Sequence, residues 1–184
     1  PRRVRACNQS RAHQYHAQMV QSVELLLDAS GEAAIREQWR ALTAAGFGAG
    51  RADHRPHVTL AVAHEIWPRL EKQLESLVFE PFPLRIGAPM VFGDRRMILV
   101  RGVVPSQALL TLQSKIADTI AGCPGSAANM RPGHWTPHVT LARRVDTDRI
   151  GAAIGIAASF PDVDTLAIGV RRWDGTNRTE WRIA

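Results

Sequence analysis

Cysteine is scarce in this sequence, and long apolar runs are missing from it. Cys7 and Cys123 are too few for a disulfide framework, and neither lies in a CxxC pair of the kind that binds metals. No apolar run approaches the roughly 18 residues that a membrane-spanning helix needs. The polar, basic stretch 1–16 lacks the apolar core of a secretory signal. We therefore expect a cytoplasmic protein that has no membrane partner.

Positive charge is in excess and is carried almost entirely by arginine. The chain has 23 basic and 17 acidic residues, and only Lys72 and Lys115 among the basic ones are lysines. Because a guanidinium binds phosphate oxygens bidentately, this excess is compatible with an RNA partner. An arginine- and alanine-rich composition is also typical of GC-rich genomes, so the charge alone leaves both interpretations open. The hydrophobic fraction of 45% is typical of a soluble globular protein.

Hydrophobic periodicity divides the chain into a short arm and one domain. Residues 1–18 contain four arginines among small and polar residues, and without apolar periodicity we expect a flexible basic arm there. Residues 19–184 are expected to form a single two-lobed domain, and we expect a monomer.

Strand and helix patterns alternate along this domain. The predicted strands cover residues 21–27, 57–63, 84–92, 97–104, 138–145, 164–173 and 180–184. The predicted helices cover residues 32–45, 67–78, 106–121 and 148–159, the first with Ser30 as its candidate N-cap. Because hairpins occur beside the helical connections, the pattern predicts an α+β protein with mixed or antiparallel sheets.

The most informative feature is a repeat of six identical residues. The sequence PHVTLA occurs at 56–61 and again at 137–142. At ordinary residue usage such a repeat has a chance probability on the order of one in a thousand. Each copy follows a helix and a loop and precedes another helix, which indicates two similar half-units that each contribute one strand.

Strand geometry groups the polar side chains of each copy. Because side chains alternate between faces, His57 and Thr59 are expected to lie on one face, and so are His138 and Thr140. Two imidazoles near neutrality can act as a general acid and a general base in breaking a phosphodiester bond. The two hydroxyls can donate to the phosphate oxygens on which charge develops. This pattern predicts a phosphoesterase site that needs no metal or other cofactor.

The two histidines have two other interpretations. A single His-x-Thr on a strand is usually a structural residue, but packing alone gives no reason to repeat polar identities. A zinc site needs three or four ligands, usually at recognisable spacing. Each strand offers one histidine, and His64 would face away from His57, so no metal site is expected.

The paired H-x-T motifs resemble those of the 2H phosphoesterase superfamily. The segment PHVTLAR at 137–143 is similar to the second motif of bacterial and archaeal RNA 2',3'-cyclic phosphodiesterases, also called 2'-5' RNA ligases. The resemblance implies a bilobal α+β fold, with two pseudo-symmetric sheets and flanking helices around a central groove. It also implies hydrolysis of a 2',3'-cyclic phosphate to a 2'-phosphate, with His57 and His138 as the catalytic pair and Thr59 and Thr140 as phosphate-binding residues.

Three further residues are candidates for the substrate groove. Arg143 matches the arginine that commonly follows the second motif, although regular strand alternation would place it on the face opposite His138. Trp135 could stack on a base or fill a lobe interface. Phe47, in the loop before the first motif, could line the mouth of the groove.

Three functions remain open on the sequence alone. The first is a cyclic phosphodiesterase that acts on RNA ends or on smaller cyclic nucleotides. The second is a ligase that joins RNA ends through a 2'-5' bond. The third is a non-catalytic module that binds RNA ends, against which the two intact histidines argue, because a binder needs no pair of titratable groups at the scissile position.

Overall fold

The computed structural model describes residues 20–50 and 54–184, and the predicted arm at 1–18 lies outside this range. The strands of the described chain are β1 (Gln21–Leu27), β2 (His57–Ala63), β3 (Phe82–Phe92), β4 (Arg96–Val103), β5 (His138–Asp146), β6 (Val163–Asp174) and β7 (Thr179–Arg182). Its α-helices are α1 (Ala29–Ala44), α2 (Glu71–Glu75), α3 (Gln107–Ile120) and α4 (Ile150–Ala158). The predicted α+β class is confirmed.

The strands form two three-stranded halves of matching order. Strands β6, β1 and β2 make one half, and β3, β4 and β5 make the other, with every neighbouring pair antiparallel. Strand β7 pairs with the C-terminal end of β6, from Arg171 to Asp174. The duplicated motif strands β2 and β5 occupy equivalent places in the two halves, as the sequence repeat predicts.

Hydrogen bonds join these halves where two separate sheets were expected. Strand β3 is long enough to pair with both β4 and β6, and β2 pairs with β5 through Val58 and Val139. The result is one seven-stranded sheet in the order β1-β2-β5-β4-β3-β6-β7, which a further pairing of β1 with β6 closes into a ring. The two halves therefore hold the motif strands at a fixed separation.

The inward faces of the motif strands build the core. Val58 and Leu60 of β2 are 0% exposed, and Val139 and Leu141 of β5 are at most 1% exposed. Burying each such side chain contributes roughly 1.5–3 kcal/mol relative to leaving it in water. Helix α3 packs on β2, whereas α1 and α4 pack on each other and on β5. No helix in residues 20–50 or 54–184 has the length and apolar character required to cross a membrane.

The helix predicted over 67–78 is shorter in the structure. A 3₁₀ turn at Pro68–Leu70 leads into α2, which ends at Glu75. The hydroxyl of Ser76 donates to the carbonyl of Gln73 at 2.8 Å, a local bond that competes with continuation of the helix.

The N-cap of α1 is Asp28, and the prediction of Ser30 is wrong. The Asp28 carboxylate accepts from the backbone N–H of Gly31 at 2.8 Å, and the Ser30 hydroxyl donates to it instead of capping the helix. Thr165 and the N–H of Leu166 in β6 also donate to this carboxylate, at 2.8 and 3.2 Å. The Gly31 hydrogen bond, with the bonds from Ser30, Thr165 and Leu166, lowers the pKa of Asp28 to about 2. One carboxylate thus fixes the start of α1 against the sheet.

We predict that Asp28→Ala lowers the free energy of unfolding by about 1 kcal/mol, the usual cost of losing an N-cap. Ser30→Ala is the control and should cost much less. Because the pKa of Asp28 is depressed, its contribution is present above the unfolded-state value of about 3.9 and is lost as the pH falls towards 2. Denaturant melts at several pH values measure both effects. Equal melts for Asp28→Ala and wild type at neutral pH would contradict the assignment.

Candidate active site

The two motif histidines begin adjacent, paired strands. His57 is the first residue of β2 and His138 is the first residue of β5. These strands are hydrogen-bonded at Val58 and Val139, the residues that follow the two histidines. A positive charge on His57 lowers the pKa of His138, so the two imidazoles lie close enough to interact.

A backbone carbonyl holds each imidazole in the same way. Nδ1 of His57 lies 2.8 Å from the carbonyl oxygen of Arg55, and Nδ1 of His138 lies 2.7 Å from that of Thr136. Because a carbonyl only accepts, Nδ1 must carry the hydrogen in both rings. Nε2 of each ring is therefore the nitrogen that can take up or release a proton.

Both motif strands contain a β-bulge at the same place in the motif. Strand β2 carries one extra residue, Leu60, in its pairing with β1, and β5 carries Leu141 in its pairing with β4. An extra residue inverts the alternation of faces beyond it. The residue three positions after each motif threonine therefore returns to the face of that threonine.

The bulge brings Arg143 to the site. Regular alternation predicted the face opposite His138, but the side chain of Arg143 lies beside the motif threonine, with Nη2 3.4 Å from Oγ1 of Thr140. Val62 occupies the equivalent position after the first motif. The guanidinium is thus present in only one half of the site.

The site opens into a cleft of about 560 Å³. Both halves contribute to its walls, since the lining includes Glu24, His57, Thr59, Thr140, Arg143 and Trp173. His138 lies two residues before Thr140, with Phe92 edge-on against its ring at a centroid distance of 4.9 Å. The structure therefore brings both predicted threonines and the arginine together at one opening, next to the histidine pair.

Trp135 and Phe47 lie away from this cleft. The indole N–H of Trp135 donates to the carbonyl of Thr59 at 3.1 Å, and the ring packs against the core. Trp39 of α1 makes the matching bond to the carbonyl of Thr140 at 3.0 Å. Phe47 is 7% exposed, and the guanidinium of Arg149 covers its ring. We therefore assign the tryptophans to support of the motif strands and Phe47 to the core.

A buried carboxylate beside His57 is the residue that the sequence analysis missed. Glu24 of β1 is 4% exposed, and its Oε1 lies 3.4 Å from Nε2 of His57. Arg171 of β6 donates to Oε2 from Nε at 2.8 Å, and Ser22 donates to Oε1 at 2.7 Å. The available signal was a lone glutamate inside the apolar strand SVELLL, because a charged residue in a buried strand usually has a partner.

The charges around the two histidines differ. Burial opposes ionisation of Glu24, but His57, Arg171 and the hydrogen bond from Ser22 outweigh it, so the pKa of Glu24 is below its ordinary value. Burial lowers the pKa of His138, and the charges of Arg143 and His57 lower it further, although the bond to Thr136 acts in the opposite direction. A carboxylate therefore faces His57, whereas a guanidinium faces His138.

The donor set around the cleft is that of an acid–base site. Among the described residues there is no group of three His, Cys, Asp or Glu side chains placed to hold a metal ion. What the site presents is two imidazole Nε2 atoms, two hydroxyls and one guanidinium. This combination can move two protons and neutralise the charge of one phosphate.

Comparison with solved structures identifies a similar overall fold in several proteins. TT0787 of Thermus thermophilus is 18% identical, with a TM-score of 0.60 and coverage of 90% of this chain and 96% of that one. LigT of E. coli is 17% identical, with a TM-score of 0.58 and coverage of 89% and 92%. Usb1 of Kluyveromyces marxianus is 12% identical, with a TM-score of 0.53 and coverage of 91% and 99%.

Comparison by sequence leads to one family. No curated protein gave a significant match. The family model of the 2'-5' RNA ligase superfamily matches residues 31–174, which is well over half of the chain and includes both H-x-T motifs. The chain therefore belongs to the 2'-5' RNA ligase superfamily of 2H phosphoesterases.

Proposed function

We propose that this protein hydrolyses 2',3'-cyclic phosphates, at RNA ends or on small nucleotides, to 2'-phosphates. The observation that carries the proposal is the matched pair of imidazoles, each fixed through Nδ1 so that Nε2 is available for proton transfer. Such hydrolysis needs one group to deprotonate water and another to protonate the departing oxygen. The pair supplies both groups, and the reaction as proposed uses no metal.

His138 is the proposed base and His57 the proposed acid. Because its pKa is lowered, His138 is neutral at neutral pH and its Nε2 can accept a proton from water. The water oxygen bonds to phosphorus while the bond from phosphorus to the 3'-oxygen breaks. Nε2 of His57 delivers its proton to that oxygen, which leaves a 3'-hydroxyl and a 2'-phosphate. Exchange of protons with solvent then restores both rings.

The remaining cleft residues stabilise the charge that develops on the phosphate. Thr59 and Thr140 line the cleft in equivalent positions and can each donate to a non-bridging oxygen. Arg143 adds a positive charge and up to two parallel N–H donors on the side of Thr140. We propose that these three side chains hold the phosphate between the two histidines.

Cleft size and structural neighbours support a nucleotide substrate. A cleft of about 560 Å³ falls within the usual range of small-molecule sites, roughly 300–1,000 Å³. Among the proteins of similar fold, LigT of E. coli has been crystallised with 3'-AMP and Usb1 of K. marxianus with uridine monophosphate. We therefore propose a nucleotide or an RNA end as the ligand.

Ligation is the second candidate function. The description of the matching family as RNA ligases favours it. In that reaction an RNA 5'-hydroxyl takes the place of water as the attacking group, and the same two histidines transfer the protons. Adding an RNA with a free 5'-hydroxyl to the hydrolysis assay would distinguish the two, because ligation produces a longer strand.

We predict that His57→Ala and His138→Ala each reduce turnover of a 2',3'-cyclic-phosphate oligonucleotide by at least roughly 100-fold, as loss of a general acid or base does. The double variant should be little worse than either single variant, because the two groups act as a unit. The assay contains EDTA, since no metal takes part. His134→Ala is the control, because His134 is an exposed histidine of the loop before β5 and belongs to neither motif. Near-normal turnover in either single variant would refute the mechanism.

We predict that Thr59→Val and Thr140→Val each lower kcat by about 10- to 1,000-fold, the scale for loss of one donor to a developing oxyanion. Valine keeps the β-branched shape, so the melting temperature should change little. Thr179→Val is the control, because Thr179 lies in the exposed strand β7. Steady-state kinetics and thermal melts on all three variants provide the measurement. Unchanged kinetics with a large fall in melting temperature would make the motif threonines structural.

A further inference from the structure

The buried carboxylate of Glu24 requires an explanation beyond packing. Removing a carboxylate from water is costly unless charged and hydrogen-bonding partners compensate for it. Glu24 is 4% exposed and has such partners on both oxygens. Arg171 donates to Oε2 from Nε at 2.8 Å and places Nη2 2.7 Å from the same oxygen, and Ser22 donates to Oε1. The carboxylate is therefore held in one orientation, with Oε1 towards His57.

The equivalent position in the other half of the protein carries no charge. Val100 pairs with Thr140 in the way that Glu24 pairs with Thr59, and Val100 is 0% exposed. On the third strand, the residue opposite Val100 is Met90, whereas the residue opposite Glu24 is Arg171. An apolar pair fills the equivalent space in one half and an ion pair fills it in the other. Buried ion pairs of this kind can often be replaced by apolar residues without loss of stability.

The ion pair lies on the side of the histidine that is the proposed acid. Nε2 of His57, the nitrogen from which the proton must leave, is 3.4 Å from Oε1 of Glu24. The equivalent position in the half that carries His138 is Val100 of β4, which has no charge. At this pair of equivalent positions, one half therefore has a carboxylate beside its imidazole and the other half has an apolar side chain.

We propose that Glu24 is a positioning residue that keeps a proton on Nε2 of His57, and that Arg171 fixes the carboxylate for this role. The inference rests on the proposed hydrolysis, because the retained proton is the one delivered to the departing 3'-oxygen. Glu24 itself bonds to no substrate atom in this scheme. Its effect is to make one member of a duplicated pair the acid.

Several other charged groups lie around His57 and Glu24. The charged and titratable groups that interact with His57, or with Glu24 beside it, are Glu24, Arg171, His138, Arg143 and His54. Arg143 and a protonated His138 would repel an imidazolium at His57, and Arg171 is neutralised by its two carboxylate partners, Glu24 and Glu180. Among these five groups, Glu24 alone carries the negative charge that offsets the repulsion.

The test compares the pH dependence of kcat/KM for wild type, Glu24→Gln and Glu180→Gln. Glutamine keeps the size of the side chain and removes its charge. Glu180→Gln is a matched control, because Glu180 also pairs with Arg171 but is 44% exposed and on the outer strand β7. We expect the alkaline limb to move to lower pH by about one unit in Glu24→Gln, the usual scale for loss of an adjacent opposite charge. The acidic limb and the Glu180→Gln profile should not move.

A second variant covers the case in which Glu24→Gln fails to fold because Arg171 loses its inner partner. Glu24→Val combined with Arg171→Met introduces the residue types that occupy the equivalent positions of the other half. This variant should fold and show the same shift of the alkaline limb. An unmoved alkaline limb in a folded variant would overturn the proposal, and so would an equal shift in Glu180→Gln.

An NMR titration of the His57 ring separates failure of this inference from failure of the proposed function. The resonance is assigned by its loss in His57→Asn. If the pH midpoint of the His57 titration falls in Glu24→Gln but not in Glu180→Gln, the interaction between Glu24 and His57 is confirmed. This result would hold even if the protein proves inactive on cyclic phosphates. If the midpoint is the same in wild type and Glu24→Gln, the pairing is refuted, whatever the substrate.

Discussion

The pairing of β2 with β5 at Val58 and Val139 is the contact on which the site depends. Each of these residues follows a motif histidine, so one point of antiparallel pairing brings the two histidines together where β2 and β5 meet. The ring of strands then fixes their separation, because β3 and β6 join the halves on the far side. Matching carbonyl contacts orient both rings, and matching bulges turn the following residues back to the cleft.

In the proposed reaction, duplication accounts for the shared chemistry, and divergence between the halves accounts for the different roles of two identical groups. Proton transfer in opposite directions requires two imidazoles in different protonation states. Glu24 stands where the other half has Val100, and Arg143 stands where the other half has Val62. A carboxylate near one ring and a guanidinium near the other provide the asymmetry that the repeat alone lacks.

The repeat allowed the fold class, the half-units and the four motif residues to be predicted from sequence, because strand alternation is reliable over three residues. Strand alternation gave the wrong face for Arg143, because the bulge that precedes this residue depends on how β5 pairs with β4, and the sequence does not specify that pairing. Glu24 was missed because its partners come from β2 and β6, far along the chain. Trp135 and Phe47 were candidates for the groove because they precede the motifs in sequence. They lie away from the cleft, because tertiary packing sets the direction of a loop side chain.

The central claim is that water attacks a cyclic phosphate while the 3'-oxygen leaves with a proton from His57. Hydrolysis of a 2',3'-cyclic-phosphate oligonucleotide in ¹⁸O-labelled water, followed by ³¹P NMR and mass spectrometry of the product, tests this directly. We expect one ¹⁸O atom in a 2'-phosphate beside a free 3'-hydroxyl. A 3'-phosphate product, or no turnover of the cyclic phosphate by the folded wild-type protein, would contradict it.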